Sequence, residues 1–214
     1  MRTILIDADS VAYKVSVRNQ ADVNFGDTGT AQLLDHDTAM WEVNELIAGY
    51  AYECKADKIV VCLSDPKVNF RKQLEPTYKG NRKDVVKPVL LDWIKEYLAA
   101  EYQSFMRPRL EADDVMGILA TSGDRFIEGR KIIVSEDKDM RTIPAWVYNP
   151  NKADLGILKI SKHQAKLFHL WQTLTGDQTD GYPGCKGIGP AAPYAEDIIS
   201  AARPLTAWDT VIGA

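Results

Sequence analysis

The stretch TILIDADS, residues 3–10, decides the expected fold, because a short apolar run passes directly into acidic and hydroxyl residues. Such runs are typical of buried strands in a parallel sheet, and an Asp or Ser at the junction caps the next helix. The segment that follows, VAYKVSV, has a helical pattern. The stretch therefore predicts the opening of an α/β domain, in which sites form at the carboxyl ends of the strands.

Two later apolar runs have the same form. KIVVCL at residues 58–63 ends at Ser64 and Asp65, and KIIV at residues 131–134 runs into SEDKD. We expect a mostly parallel central sheet flanked by helices. The pattern also predicts helices at residues 37–54, 88–100 and 161–173, weaker strands at 145–148 and 156–160, and a mobile polar loop over 19–37.

The stretch LEADDVMG, residues 110–117, carries three carboxylates within four residues, Glu111, Asp113 and Asp114. Acids suit the first turn of a helix because of its dipole, which explains one or two of them. Three acids before so apolar a continuation repel one another unless a cation or a proton lies between them. The stretch therefore indicates one wall of an acidic pocket.

Further acids follow the strand ends. If the three strands are parallel neighbours, these acids lie on one edge of the sheet. So many ionised carboxylates need hard divalent cations, Mg²⁺ or Mn²⁺, and a pair of such ions can promote phosphodiester hydrolysis. The candidate ligands are Asp7, Asp65, Glu111, Asp113, Asp114, Asp137, Asp139, Asp177 and Asp180.

The basic segment covers residues 67–87 and holds seven Lys or Arg against two acids, a local charge of +5 on a chain of net charge −4. Phe70 and Tyr78 lie among these cations and offer stacking surfaces. Basic residues interleaved with aromatics are typical of a segment that binds a nucleic-acid strand. A solvated charged loop explains the charge alone equally well.

The turn Gly187-Ile188-Gly189 is a candidate phosphate contact. Its glycines allow backbone N–H groups to approach a phosphate at a helix N-terminus without reading sequence. Gly-x-Gly turns are common, so the motif carries weight only beside the acidic pocket and the basic segment.

The composition is that of an ordinary globular protein. The three cysteines, Cys54, Cys62 and Cys185, have no CxxC spacing and suggest neither a disulfide framework nor a zinc site. We therefore expect a reducing, cytoplasmic setting. The acidic N-terminus does not resemble a signal peptide, and no apolar run approaches the length of a membrane span.

In combination, these motifs make the chain similar to the structure-specific 5′-nucleases: flap endonucleases, the 5′-nuclease domain of bacterial DNA polymerase I, and phage 5′→3′ exonucleases. The blocks that carry the resemblance follow the family's order from residue 4 to residue 190. They are LIDADSVAYK, SDPKVNFRKQLEPTYKGNRK, LEADDVMGILA, VSEDKDMRTIP and LTGDQTDGYPGCKGIGP. YKGNRK, EADDVMG and the GDxTDGYPG pattern most resemble the exonucleases of short-tailed bacteriophages.

The resemblance implies a nuclease that uses two divalent ions to cut near the 5′ ends of duplex or branched DNA, in phage replication and primer removal. Whether RNA in hybrids is also cut stays open. The implied first metal site uses Asp7, Asp65 and the three acids of residues 111–114, with Asp113 nearest both ions. The implied second site uses Asp137, Asp139, Asp177 and Asp180, some through water.

The resemblance also implies contacts to DNA. Lys79 and Arg82 would lie at the base of a helical arch and contact the scissile phosphate, and Tyr13 would stack on the terminal base. Lys186 to Gly189 would form a helix-hairpin that grips duplex DNA and binds K⁺. The further DNA-binding candidates in the arch are Arg71, Lys72, Tyr78 and Lys83.

In domain terms, we expect a nuclease core at residues 1–174 with the arch near 66–90, and a helix-hairpin-helix region at 175–214 integral to the same domain. The sequence departs from the family after GIGP, where Ala191-Ala192-Pro193 stands in place of the usual basic residue. Phage relatives also continue with further helices, so the chain is expected to be a compact version or a fragment.

Two other functions remain open at this point. Asp7-Ala8-Asp9 resembles the DxD motif of haloacid-dehalogenase-like phosphatases, with Asp7 as nucleophile and Asp9 as acid/base. A PIN-type RNA nuclease or a non-catalytic binding module would need fewer acids. Activity of an Asp9→Asn variant would argue against the phosphatase, and function in EDTA would favour a binding module.

Overall fold

The computed structural model describes residues 1–24, 30–80 and 86–189. The chain divides into two compact units. The first consists of Met1–Asn69, Val86–Met140 and Ala145–Lys159, and the second of Phe70–Val85, Arg141–Pro144 and Ile160–Ala214.

The elements follow one another in the order expected for an α/β protein. The strands are β1 (Arg2–Asp7), β2 (Gln20–Asn24), β3 (Thr30–Leu34), β4 (Lys58–Leu63), β5 (Gln103–Met106), β6 (Arg130–Val134), β7 (Trp146–Tyr148) and β8 (Ile157–Lys159). The α-helices are α1 (Ala8–Arg18), α2 (His36–Cys54), α3 (Phe70–Leu74), α4 (Leu90–Glu101), α5 (Ala112–Thr121) and α6 (Lys162–Thr175). Short 3₁₀ helices cover Lys138–Thr142 and Pro150–Leu155.

The main sheet lies in the first unit and has the strand order β5-β4-β1-β6-β7-β8. Every neighbouring pair is parallel except β7–β8. The predicted fold class, a mostly parallel sheet flanked by helices, is confirmed. The three apolar runs of the sequence form the adjacent central strands β4, β1 and β6.

Helices cover both faces of this sheet. Ile4 and Ile6 of β1 belong to the core that the sheet forms with α1, α2 and α4. Leu5 points to the other face, because side chains alternate along a strand, and α5 packs there against β1, β4 and β6. A strand buried on both faces is apolar throughout, which is why TILI has no alternating pattern.

Two predictions about the segments between these elements were wrong. The expected loop over residues 19–37 contains the antiparallel hairpin of β2 and β3, in which Gln20 pairs with Leu34 and Asn24 with Thr30. The segment before α5, for which the sequence pattern predicted no strand, contains the edge strand β5, which pairs with β4 from Val60 onward. The strands in both segments are short, so pairing with another strand decides their structure, and their own periodicity does not reveal it.

Candidate active site

The acidic edge of the first unit is built by strand register. Asp7, the last residue of β1, pairs with Cys62 of β4, and Ile6 pairs with Val134 of β6. Asp65 therefore follows the end of β4 on one side of Asp7, and the acidic loop, residues 135–139, follows the end of β6 on the other. The predicted convergence of three strand ends on one sheet edge is confirmed.

Helix α5 brings its acids to this edge because its start is tied to the end of β4. The Ala112 N–H donates to Ser64 Oγ at 2.9 Å, and the Asp65 N–H donates to the Leu110 carbonyl at 2.9 Å. Within the helix start, Asp114 Oδ2 accepts the Glu111 N–H at 3.0 Å. Asp114 thus caps the helix, so the structural explanation for an acidic helix start holds for at least one of the three carboxylates.

Asp7 has a strongly perturbed carboxyl at this edge. Burial, followed by the nearby negative charges of Asp9 and Asp137, raises its pKa to about 7, although Asp7 also caps α1 by accepting the Ser10 N–H at 3.1 Å. Cys62 beside it has its pKa raised, first by burial and then by the charges of Asp7, Asp113 and Asp9. Strongly perturbed carboxyls in such surroundings are typical of functional sites.

Asp9 was not among the predicted ligands, and the structure gives it a different task. Its carboxylate forms an ion pair with Lys95 Nζ of α4 at 2.6 Å and accepts the Ser64 N–H at 3.2 Å. Asp9 thereby connects α1, α4 and the end of β4. The sequence offered no signal for Lys95, because one lysine on an amphipathic helix is unremarkable.

Asp65 is held mainly by backbone donors. Its Oδ1 accepts the Lys67 N–H at 2.9 Å and its Oδ2 accepts the Arg109 N–H at 2.7 Å. These hydrogen bonds, led by the one from Arg109, lower the pKa of Asp65, so it is ionised. Asp65 lies where a ligand is expected, but in this structure it also fastens the segment before α5.

The acidic loop after β6 has its own internal order. The Asp137 N–H donates to Ser135 Oγ at 3.1 Å, and the Asp139 N–H donates to Asp137 Oδ1 at 2.8 Å. Glu136, which lies between Ser135 and Asp137 in the loop, forms an ion pair with Lys14 of α1. Lys14 and Glu136 were both missed by the sequence analysis, since only the fold brings them together.

The acids lie along one edge of the sheet, but their side chains are not gathered around a single position. Across the described residues, no three His, Cys, Asp or Glu side chains form a group that could hold a metal ion as placed. The atoms that the candidate ligands at this edge offer to a metal ion are carboxylate oxygens. The nearby thiol of Cys62 is fully buried in β4. The donor chemistry is that of a hard divalent cation, and the repulsion around Asp7 is what such a cation would relieve.

The second unit contains the other two predicted ligands, Asp177 and Asp180, in the turn before residue 185. Asp177 exchanges two backbone hydrogen bonds with Tyr182 at 2.7 and 2.8 Å, and its Oδ1 accepts the Thr179 N–H at 2.8 Å. Asp180 contacts the basic segment: its Oδ2 lies 3.2 Å from Tyr78 Oη, and its Oδ1 lies 3.9 Å from Lys79 Nζ.

The predicted DNA contacts fall into three groups. Tyr13 is 47% exposed on α1, as a stacking residue requires. Arg71 lies 4.7 Å from the Phe70 ring and 5.9 Å from the Tyr78 ring, and Lys72 is exposed. Arg82 and Lys83 lie outside the described residues.

The glycine turn is described only as far as Gly189. Gly187 has a φ of +83°, the left-handed region, while Ile188 is buried and donates to the Cys185 carbonyl at 3.0 Å. Lys186 is exposed. The helix expected after this turn, including Pro193, lies outside the described residues.

The comparison with protein families decides the relationship. Residues 2–147 match the family model described as the 5′-3′ exonuclease, N-terminal resolvase-like domain. The chain belongs to this 5′-3′ exonuclease family. The match runs from β1 into β7 and includes every candidate metal ligand of the first unit, so the resemblance drawn from the sequence motifs is confirmed.

Relatives with curated names are phage and bacterial nucleases. The chain is 34% identical over 201 residues to the exonuclease of Escherichia phage T7, covering 88% of this chain and 64% of that protein. It is 34% identical over 202 residues to the exodeoxyribonuclease of Enterobacteria phage T3, with the same coverage. The flap endonuclease Xni of Shewanella baltica (strain OS223) is 30% identical over 157 residues, covering 69% of this chain and 58% of that protein.

Solved structures share the fold at lower sequence identity. The T5 5′-exonuclease with bound zinc ions matches with a TM-score of 0.67 at 18% identity, covering 94% of this chain and 75% of that one. The bacteriophage T5 D15 flap endonuclease in a pseudo-enzyme-product complex with DNA and metal ions matches with a TM-score of 0.65 at 17% identity, with equal coverage. The chain spans 64% of the length of its two phage relatives. In the described ranges no helix is long and apolar enough to cross a membrane.

Proposed function

We propose that this chain is a divalent-metal-dependent nuclease that hydrolyses phosphodiesters near the 5′ ends of DNA. The observation that carries the proposal is Asp7, a carboxyl whose pKa burial and then the charges of Asp9 and Asp137 raise to about 7 at the meeting point of three parallel strand ends. The Asp9 carboxylate is paired with Lys95, whereas the charges that act on the Asp7 carboxyl are those of the acids Asp9 and Asp137.

The residues that would hold the metal ions are those of the acidic edge. Asp7, Asp65, Glu111, Asp113 and Asp114 would hold one ion and Asp137 and Asp139 another, and the family resemblance adds Asp177 and Asp180 as further candidate ligands. Mg²⁺ or Mn²⁺ fits these oxygen donors. When bound, a pair of such ions would supply an activated water and charge stabilisation at the leaving 3′-oxygen.

The chain's own cations complete the proposed chemistry. Lys79, with Arg82, would offset the negative charge that builds on the phosphate during attack. Lys79 is suited to this because its backbone is fixed: it has a φ of +53°, its N–H donates to the Asp180 carbonyl at 3.2 Å, and its Nζ lies 5.0 Å from the Tyr78 ring centroid. Exposed Tyr13 would stack on the terminal base.

The substrate proposed is DNA with a free 5′ end, as duplex or flap, in phage replication and primer removal. Relatives named exonuclease and flap endonuclease, and the T5 structure solved with DNA, support this class of substrate. K⁺ at the turn around Gly187 and action on RNA in hybrids are the finer parts of the proposal. The phosphatase alternative is disfavoured, because Asp9 is committed to Lys95 and to the Ser64 N–H and is not poised as an acid/base.

The deciding experiment incubates the chain with 5′-labelled duplex, flap and RNA–DNA hybrid in Mg²⁺, Mn²⁺ or EDTA, each with K⁺ or Na⁺. We expect short 5′-phosphorylated products with either divalent ion and none in EDTA. Cleavage in EDTA, or release of phosphate from p-nitrophenyl phosphate without cleavage of any DNA, would overturn the proposal. Asp9→Asn adds a second arm, since it should abolish a phosphatase and leave a nuclease largely active.

A further inference from the structure

We propose that the ion pair between Lys14 and Glu136 positions the acidic loop, residues 135–139, against β1, so that Lys14 and Glu136 are positioning residues for Asp137 and Asp139. The inference rests on the proposed function in one respect, namely that Asp137 and Asp139 are ligands whose placement matters. The pair itself can be tested without metal and without activity.

The ion pair between Lys14 and Glu136 lies beside Asp7. Lys14 Nζ donates to Glu136 Oε1 across 122 residues of sequence, and the two side chains are only 28% and 25% exposed. Lys14 follows Asp7 by about two helical turns and so lies on the same side of α1. Both residues line a small cleft together with Asp7, Ser10 and Tyr50.

The loop around Glu136 is also held by the segment at the end of β7. Its carbonyl accepts a hydrogen bond from Asn149 Nδ2 at 3.1 Å, and the preceding Ser135 N–H donates to the Tyr148 carbonyl at 3.2 Å. The loop is thus anchored by its backbone to the end of β7 and by one side chain to α1. The ion pair of Glu136 with Lys14 connects the loop to α1, the helix that Asp7 caps.

Hydrogen bonds within the loop connect Glu136 to the two acids that follow it. The Asp137 N–H depends on Ser135 Oγ at 3.1 Å, and the Asp139 N–H depends on Asp137 Oδ1 at 2.8 Å. The residues that make both hydrogen bonds lie within three positions of Glu136 along a short loop. A shift of Glu136 away from α1 therefore disturbs both acids.

A direct contact of Lys14 with a DNA phosphate is the rival explanation, and it makes opposite predictions. A phosphate contact would be weakened by Glu136, so Glu136→Gln should tighten DNA binding while Lys14→Gln loosens it. A positioning pair loses its function when either partner is removed, because the remaining charge is left without its counter-ion in a partly buried place. Exchanging the two charges should then restore it.

The variants are Lys14→Gln, Glu136→Gln, the exchanged double variant Lys14→Glu/Glu136→Lys, and the conservative Lys14→Arg. Exposed residues of the same unit supply matched controls, Lys152→Gln and Glu45→Gln. In metal-free protein, amide hydrogen exchange is measured at Asp137 and Asp139. We expect about fivefold faster exchange or more in each single variant, corresponding to about 1 kcal/mol of local opening, and recovery in the exchanged variant and in Lys14→Arg.

The link to the site is measured by Mn²⁺ titration followed by electron paramagnetic resonance, without DNA. Each single variant should bind Mn²⁺ about tenfold more weakly, the effect of losing an outer partner of a ligand, and the exchanged variant should bind it nearly as the parent does. Unchanged amide exchange in single variants that melt like the parent overturns the proposal, as does tighter DNA binding by Glu136→Gln. A parent chain that binds no Mn²⁺ overturns the proposed function, while the exchange data still decide whether the pair holds the loop.

Discussion

The Tyr78 hydroxyl donates a hydrogen bond to Asp180 Oδ2 at 3.2 Å, which joins the basic segment to the turn that contains Asp177 and Asp180 within the second unit. Lys79 strengthens the joint, because its N–H donates to the Asp180 carbonyl at 3.2 Å and its ammonium lies 3.9 Å from the same carboxylate. Asp180 therefore holds the residue proposed to act on the phosphate, in addition to its proposed part in metal binding.

Tyr78→Phe should loosen this joint and leave the ring in place. Losing a hydrogen bond to a carboxylate costs about 1 kcal/mol in a partly exposed position, which corresponds to about fivefold faster trypsin cleavage after Arg71, Lys72 and Lys79. Tyr52→Phe is the control, because Tyr52 is 82% exposed in the first unit. Equal cleavage rates for parent and Tyr78→Phe would show that the hydroxyl does not hold the segment.

Lys79→Ala should lower turnover much more than DNA affinity. Removing a cation that acts on charge developing in the transition state costs about a hundredfold in kcat, whereas a ground-state phosphate contact mainly changes Kd. Single-turnover cleavage and equilibrium binding in Ca²⁺ separate the two. Lys162→Ala, an exposed position in the same unit, is the control. Equal losses in both measurements would make Lys79 a binding contact only.

Asp139→Ala should abolish cleavage and retain DNA binding. The backbone N–H of residue 139 can still donate to Asp137 Oδ1, a bond of 2.8 Å in this structure, so the loop keeps its path while one carboxylate is lost. The expected loss of rate exceeds the roughly hundredfold typical of outer partners of a metal ligand. The measurement is cleavage of a 5′-labelled flap in Mg²⁺, beside Asp154→Ala as an exposed acidic control. An active Asp139→Ala enzyme would remove this residue from the site.

The central strands and their acids were predictable because they are governed by burial. TILI, KIVVCL and KIIV are apolar on both faces, which only an interior parallel strand requires, and their adjacency as β4, β1 and β6 then brings the terminal acids to one edge. The acidic start of α5 could be predicted as well, because its three acids directly precede an apolar helical stretch.

The rest of the site depends on contacts that no local pattern records. Lys14 and Glu136 are ordinary charged residues until β6 delivers residue 136 to α1, and Lys95 acquires its role only where α4 crosses Asp9. The hairpin of β2 and β3 was missed because two short strands form it by pairing with each other, and neither has a pronounced alternating pattern. The structure of the β2–β3 hairpin and the roles of Lys14, Glu136 and Lys95 therefore depend on the residues they meet in the fold, and not on local propensity.

Asp7→Asn should change how stability depends on pH in metal-free protein. Burial and then the charges of Asp9 and Asp137 raise the pKa of Asp7 from 3.8 to about 7. Between these values the folded chain binds a proton that the unfolded chain has released, so this residue's contribution makes the free energy of unfolding fall as pH rises from about 4 to about 7, then level off. At about 1.4 kcal/mol per pKa unit the whole decline is roughly 4 kcal/mol, and Asp7→Asn should remove the roughly 3 kcal/mol of it that falls between pH 5 and pH 8.

The measurement for Asp7 is urea unfolding at pH 5 and pH 8 in EDTA, with Asp154→Asn as the control. Between pH 5 and pH 8 the free energy of unfolding of the parent should fall relative to that of Asp7→Asn. When EDTA is replaced by Mg²⁺, the parent should regain this stability and Asp7→Asn should not. A constant difference between parent and variant at both pH values would mean that Asp7 is not held in an unfavourable charged state.

Gly184→Ala should disrupt the turn of the second unit that contains Asp177 and Asp180. Gly184 has a φ of +68°, and a Cβ there would lie 2.4 Å from the Gly176 nitrogen and 2.6 Å from the Leu174 carbonyl oxygen. Both atoms belong to the backbone and cannot rotate away, so the cost adds to the 1–2 kcal/mol or so of a left-handed alanine. Gly187→Ala is the matched control, because Gly187 has a φ of +83° with no neighbour within 4 Å of its Cβ position. Thermal unfolding should show a Tm loss for Gly184→Ala well beyond that of Gly187→Ala, and equal losses would mean that backbone strain alone, and not the close approach of residues 174–176, requires glycine at this position.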